Sequence, residues 1–147
     1  MYDIVLMLHV LAATVWTGGH LVLAMVIVPR VLKEKSPSDL LRFEVGYERI
    51  GIPALIIQVV TGVWLSHRLV PDVSQWIDFD NPVSSLVGAK LFLLLVTLAL
   101  AVDARLRIIP KLSVDNLSAL VWHIVPITTV SVLFVVVGVS FRTGWLY

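Results

Sequence analysis

The stretch at residues 4–28, IVLMLHVLAATVWTGGHLVLAMVIV, decides the fold of this chain. It holds no Asp, Glu, Lys or Arg in 25 residues and stops at Pro29-Arg30. About 20 residues of apolar helix cross a bilayer, so this stretch reads as a membrane span. It lacks the basic start and small-residue cleavage site of a leader peptide, and it carries two His and a Trp.

Three more stretches follow the same pattern, at residues 50–66, 83–106 and 117–141. Composition agrees. The 147 residues are 59% hydrophobic and 14% charged, with mean hydropathy +0.96, whereas soluble domains carry about 25% charged residues. A water-soluble globule and a disordered chain are excluded. A net charge of +1 argues against a nucleic-acid binder. Cysteine is absent, which removes disulfides, thiolate metal sites and a catalytic thiol.

Helix signals bound the spans. Ser36-Pro37-Ser38-Asp39 and Asn81-Pro82 are helix starts. The segment Leu40-Leu41-Arg42-Phe43-Glu44 reads as an amphipathic extension that runs into the second span, with a kink expected at Pro53. Pro110 closes the third span, and Ser113-Val114-Asp115-Asn116 opens the fourth. The expected fold is all-α: one four-helix transmembrane up-down bundle covering residues 1–147, with sequential helices as antiparallel neighbours.

Charge gives a direction. Arg30, Lys33, Lys35, Arg42, Arg49, Arg105, Arg107 and Lys111 cluster at one end, and Arg68, Lys90 and Arg142 at the other. By the positive-inside rule the extension before helix 2 is cytoplasmic, and both termini lie outside, periplasmic in a bacterial inner membrane. The outer loop at residues 71–80 is acidic and aromatic. It reads as an interfacial cap with Trp76 at headgroup level, or as a docking surface for a cationic partner or a quinol headgroup.

All four histidines, His9, His20, His67 and His123, fall in or at the ends of spans. Ionisable groups at that depth are expensive and often functional. His9 and His20 are 11 residues apart, which places them on one helix face about 16 Å apart along the axis. In an antiparallel bundle His9 matches His67 in depth, and His20 matches His123. Two imidazoles from facing helices are the axial ligands of a b-type haem. Two haems are expected on this reading, with a single one as fallback. Lys90 and Arg68 are candidate propionate partners outside, and Arg49, Arg105 and Arg107 inside. Gly18, Gly19 and Gly62 leave room for a flat ring. Zinc fits poorly because the pairs are too far apart to pool ligands. Asp103 and Arg105 read as a salt-bridged helix end.

The run Leu8-His9-Val10-Leu11-Ala12-Ala13 with Trp16, Gly18 and Gly19 resembles the opening helix of the CopD-like membrane domain, named for copper resistance. Ala89-Lys90-Leu91 and Asp103-Ala104-Arg105-Leu106-Arg107 with Pro110 are similar to that family's third helix. The resemblance implies a copper uptake or resistance protein, although the spans hold no Met or Cys ladder to pass copper along. His9, Trp16, Pro29-Arg30, the run Arg49-Ile50-Gly51-Ile52-Pro53 through Thr61-Gly62, Lys90 and Pro126 also resemble HemJ-type protoporphyrinogen oxidases. The chain departs from that pattern at His123, at Val102-Asp103-Ala104-Arg105, and by adding His20. The leading expectation is a membrane b-type cytochrome that relays electrons from quinol to a small oxidant or soluble acceptor, as a possible homodimer. Copper uptake or resistance is the alternative, and a HemJ-like oxidase a further one.

Overall fold

The computed structural model describes residues 1–146. Four helices carry the chain: α1 (Tyr2–Glu34), α2 (Pro37–Leu69), α3 (Pro82–Lys111) and α4 (Val114–Thr143). Each has at least 30 residues and is apolar enough to cross a membrane. Thirty residues of helix reach about 45 Å, more than the roughly 30 Å of a hydrocarbon core. No strand occurs among the described residues.

The chain's own punctuation makes the turns. Lys35 adopts a left-handed conformation (φ 50°) that ends α1, and Pro37 starts α2 after a short reversal. Asn81 caps α3: its side-chain oxygen accepts from the backbone N–H of Val83 at 2.9 Å and of Ser84 at 3.3 Å. Ser113 and Asn116 form a reciprocal capping box at the start of α4. Gly144 closes α4 at φ 65°, a conformation in which a side chain would be strained. In the loop, Asp72 accepts from the Ser74 N–H and hydroxyl, which holds its carboxyl below the usual carboxylate range. The amphipathic extension is part of α2, and the helix runs on through Pro53. Single π-helical turns interrupt α1 at Leu23–Ile27 and α3 at Ala104–Ile108.

Helix order differs in one respect from simple up-down adjacency. α1 packs along α2 and also against α4, and α3 packs on α4. α2 and α3 do not pack side by side, so the order across the bundle is α2, α1, α4, α3. The connection at residues 70–81 is long enough to hold them apart, and Trp76 folds in beneath it. Trp76 is 9% exposed and donates its Nε1–H to the Val70 carbonyl at 2.8 Å. Trp76 of the outer loop is thus buried within the protein. Gly88 permits this: a Cβ there would lie 3.1 Å from the Trp76 carbonyl oxygen.

Apolar packing is tightest at the basic end, where Leu23, Val28 and Leu40 meet Leu117, Leu120 and Ile124. The outward surface carries Met25, Phe92, Leu95, Leu106 and Trp122, each at least 65% exposed. Such a surface is stable against lipid rather than water. The chain is a multi-pass membrane protein.

Candidate functional site

The other half of the bundle, toward the termini, encloses a cavity of about 340 Å³. Small-molecule sites run from roughly 300 to 1,000 Å³. All four helices line it, with Trp76 contributing from the loop. Its walls are mainly Leu, Val and Phe side chains, and three polar ones stand out: His9 from α1, Gln58 from α2 and Lys90 from α3.

His9 is held by its neighbours in α2. Its Nδ1 lies 2.9 Å from Thr61 Oγ1. The Thr61 hydroxyl donates to the Ile57 carbonyl at 2.5 Å, so its oxygen is left to accept from His9 Nδ1–H. The network thereby assigns the proton to Nδ1 and leaves a lone pair on Nε2, the nitrogen a metal would take. Gly62 makes the approach possible, since a Cβ there would lie 3.1 Å from His9 Cε1. The room that Gly62 provides is thus filled by the histidine itself.

Gln58 is 8% exposed, and its Oε1 has no hydrogen-bond partner. Lys90 enters from the opposite side. Its Nζ lies 5.4 Å from the centre of the Phe141 ring and close to Gly138, where a Cβ would sit 3.4 Å away. No hydrogen bond to Lys90 Nζ occurs among the described residues.

His20 lies outside the cavity. It is 5% exposed and donates Nδ1–H to the Trp16 carbonyl at 2.8 Å. The Trp16 ring stands 4.5 Å from it by centroid, and Tyr47 meets it edge-on at 5.6 Å. The Tyr47 hydroxyl donates to the same carbonyl at 2.9 Å. This ring fills the slot left by Gly19, where a Cβ would fall 2.0 Å from Tyr47 Cε2. Gly18 faces nothing within 4 Å.

His123 is occupied elsewhere. Its Nε2 lies 2.9 Å from Asp103 Oδ2, off-axis for a hydrogen bond but within ion-pair range. Asp103 also pairs with Arg107 at 3.1 Å. His67 is exposed at the end of α2 and does not line the cavity. It follows Gly62 by five residues, which turns it about 140° away from the face that meets His9.

The two expected histidine pairs are therefore not assembled. His9 meets Thr61 rather than His67, and His20 meets Trp16 and Tyr47 rather than His123. Each of these side chains is instead engaged by, or exposed beside, other neighbours than the expected partner. Of the candidate cations, Lys90 alone faces the cavity. Arg68 sits over Trp64 at 5.7 Å, Arg105 pairs with Glu48 instead of Asp103, and Arg49 is exposed. Among the described residues no group of three His, Asp or Glu could hold a metal ion. Gln58, Thr61 and Trp76 escaped the reading of the sequence as site residues. Gln58 is the single amide in residues 50–66, and that signal could have found it.

A family profile described as "CopD: Copper resistance protein D" matches residues 41–142, more than two thirds of the chain. The match takes in most of α2, all of α3 and nearly all of α4; α1, with His9 and His20, precedes it. No curated protein and no solved structure matches the chain.

Proposed function

The chain belongs to the copper resistance protein D family, and from that premise we propose that it handles copper at the membrane, with the cavity as its working site and His9 as the metal-facing residue. The supporting observation is the proton placement on His9. Thr61 takes Nδ1–H, and Nε2 is left with a lone pair on the cavity side of α1. The positive-inside rule puts the basic end in the cytoplasm, so the cavity faces the outer, periplasmic side of a bacterial inner membrane. Lys90 restricts the form of the cargo. An ammonium in a low-dielectric cavity repels a bare cation. Copper then enters with anionic ligands that offset its charge, and His9 exchanges into that complex. The test is growth of a copper-sensitive strain, with bound copper measured on the purified protein. Wild type restores growth and carries copper, and His9→Ala does neither. Equal performance of the two would refute the reading.

A second reading is favoured by the apolar walls and by Lys90 in the same cavity as His9. These suit an iron porphyrin: His9 would hold its iron and Lys90 would meet a carboxylate side arm. Haem bound there would supply one-electron chemistry, and the chain would serve as an electron relay. A single haem is the form the residues support, because neither expected bis-histidine pair is formed. A reduced-minus-oxidised b-type spectrum, lost in His9→Ala, would select this reading over the first. A colourless protein would remove it.

A further inference from the structure

The cavity has a second property that metal ligation does not use. Gln58 Oε1 is buried and unpartnered among the described residues, and Lys90 Nζ lies by Gly138 and the Phe141 ring with no hydrogen bond among the described residues. A buried acceptor without a donor is destabilising, so the site favours a ligand that donates to it. The access route is also defined. α2 and α3 both line the cavity; the Glu48–Arg105 pair ties them at the basic end, but they lack close backbone packing, and the space between them at cavity level is the inferred entry from the bilayer. At the top, Trp76 and its loop close the way to water.

We infer that the cavity takes a lipid-soluble quinol or quinone, which enters sideways between α2 and α3. This inference shares the cavity and Lys90 with the proposed function but does not rest on copper handling: it adds Gln58 and needs no ligation by His9. Three observations favour this chemistry. First, the walls are apolar enough for a ring and the start of an isoprenoid or alkyl tail, which can leave through the gap into lipid. Second, the polar groups are complementary to one head. A quinol hydroxyl donates to Gln58 Oε1, and a ring oxygen accepts from Lys90 Nζ. Third, depth decides against a phospholipid. Lys90 and Gln58 stand about 10–13 Å inside the ends of their apolar spans by helix rise, deeper than a phosphate headgroup settles. An uncharged ring head is stable there. Binding alone is inferred, with no electron transfer step.

The test uses the full chain in lipid nanodiscs with decylubiquinone as probe. Tryptophan quenching should contain a saturable part that is lost in Trp76→Phe, above the unsaturable background from the other four tryptophans. Gln58→Leu and Lys90→Met should each weaken binding roughly two- to tenfold, the worth of one hydrogen bond. Gln58→Leu removes an unsatisfied acceptor, so its thermal midpoint should hold or rise, which separates lost binding from lost folding. Absence of saturable quenching, or wild-type affinity in both variants, would overturn the inference. So would a Soret band from haem filling the cavity while the probe fails to bind. The failure of copper binding alone would leave it standing.

Discussion

The bond between His9 Nδ1 and Thr61 Oγ1, 2.9 Å long, determines which nitrogen of the imidazole is available to the cavity. Thr61 can accept because its own proton goes to Ile57. Removing that acceptor frees the ring to change tautomer and to turn. Outer partners of metal-binding histidines are worth roughly 10–100-fold in affinity. If His9 takes copper as proposed, Thr61→Val should lower the affinity of the purified protein for copper about tenfold or more, and Thr61→Ser should restore it. A copper titration followed by absorbance or calorimetry reads the difference.

Two adjacent glycines should behave oppositely. A Cβ on Gly19 collides with the Tyr47 ring at 2.0 Å, and one on Gly18 meets nothing within 4 Å. Gly19→Ala should lower stability by about 1–3 kcal/mol through overpacking. Gly18→Ala should leave it unchanged or raise it by about 0.5–1 kcal/mol, since Ala favours a helix over Gly. Thermal unfolding in one detergent compares the two directly.

Trp76 serves as the roof of the cavity, and its loss should be felt by the fold. Trp76→Ala should destabilise by about 3–5 kcal/mol, as large aromatic truncations do. Trp76→Phe keeps most of the volume and loses the 2.8 Å bond to Val70, which is worth about 0.5–1.5 kcal/mol. The ratio of the two losses, from denaturation midpoints, shows whether packing or the hydrogen bond holds the loop in place.

Asp103 joins α3 to α4 through His123. Asp103→Asn and His123→Ala should be non-additive in a double-mutant cycle, with a coupling of about 0.5 kcal/mol or more. The Arg30–Glu34 pair, 3.2 Å long with side chains 65% and 47% exposed, should show about 0–0.5 kcal/mol in the same assay.

The spans and caps were legible because each depends on local chemistry. Asn81-Pro82, Ser113 with Asn116, and the end of α1 at Lys35 all sit where residue type and short-range bonding dictate. His9 and Lys90 were legible as site residues because polar groups in apolar spans need a partner or a cavity. The histidine pairing was not legible. Helix rise fixes depth, but the angle at which a side chain meets its neighbour depends on which helices touch. The gap between α2 and α3 was hidden for the same reason, since a loop of moderate length fits packed and separated helices alike. The burial of Trp76 against the protein was not legible, because nothing local reveals that Gly88 leaves room for its backbone.

The most direct measurement is the metal and haem content of the purified wild-type chain beside His9→Ala and His67→Ala, each checked for folding by its thermal midpoint. The account expects copper or haem at no more than one per chain, lost in His9→Ala and retained in His67→Ala. Equal loss in both variants, or full retention in His9→Ala, would contradict it.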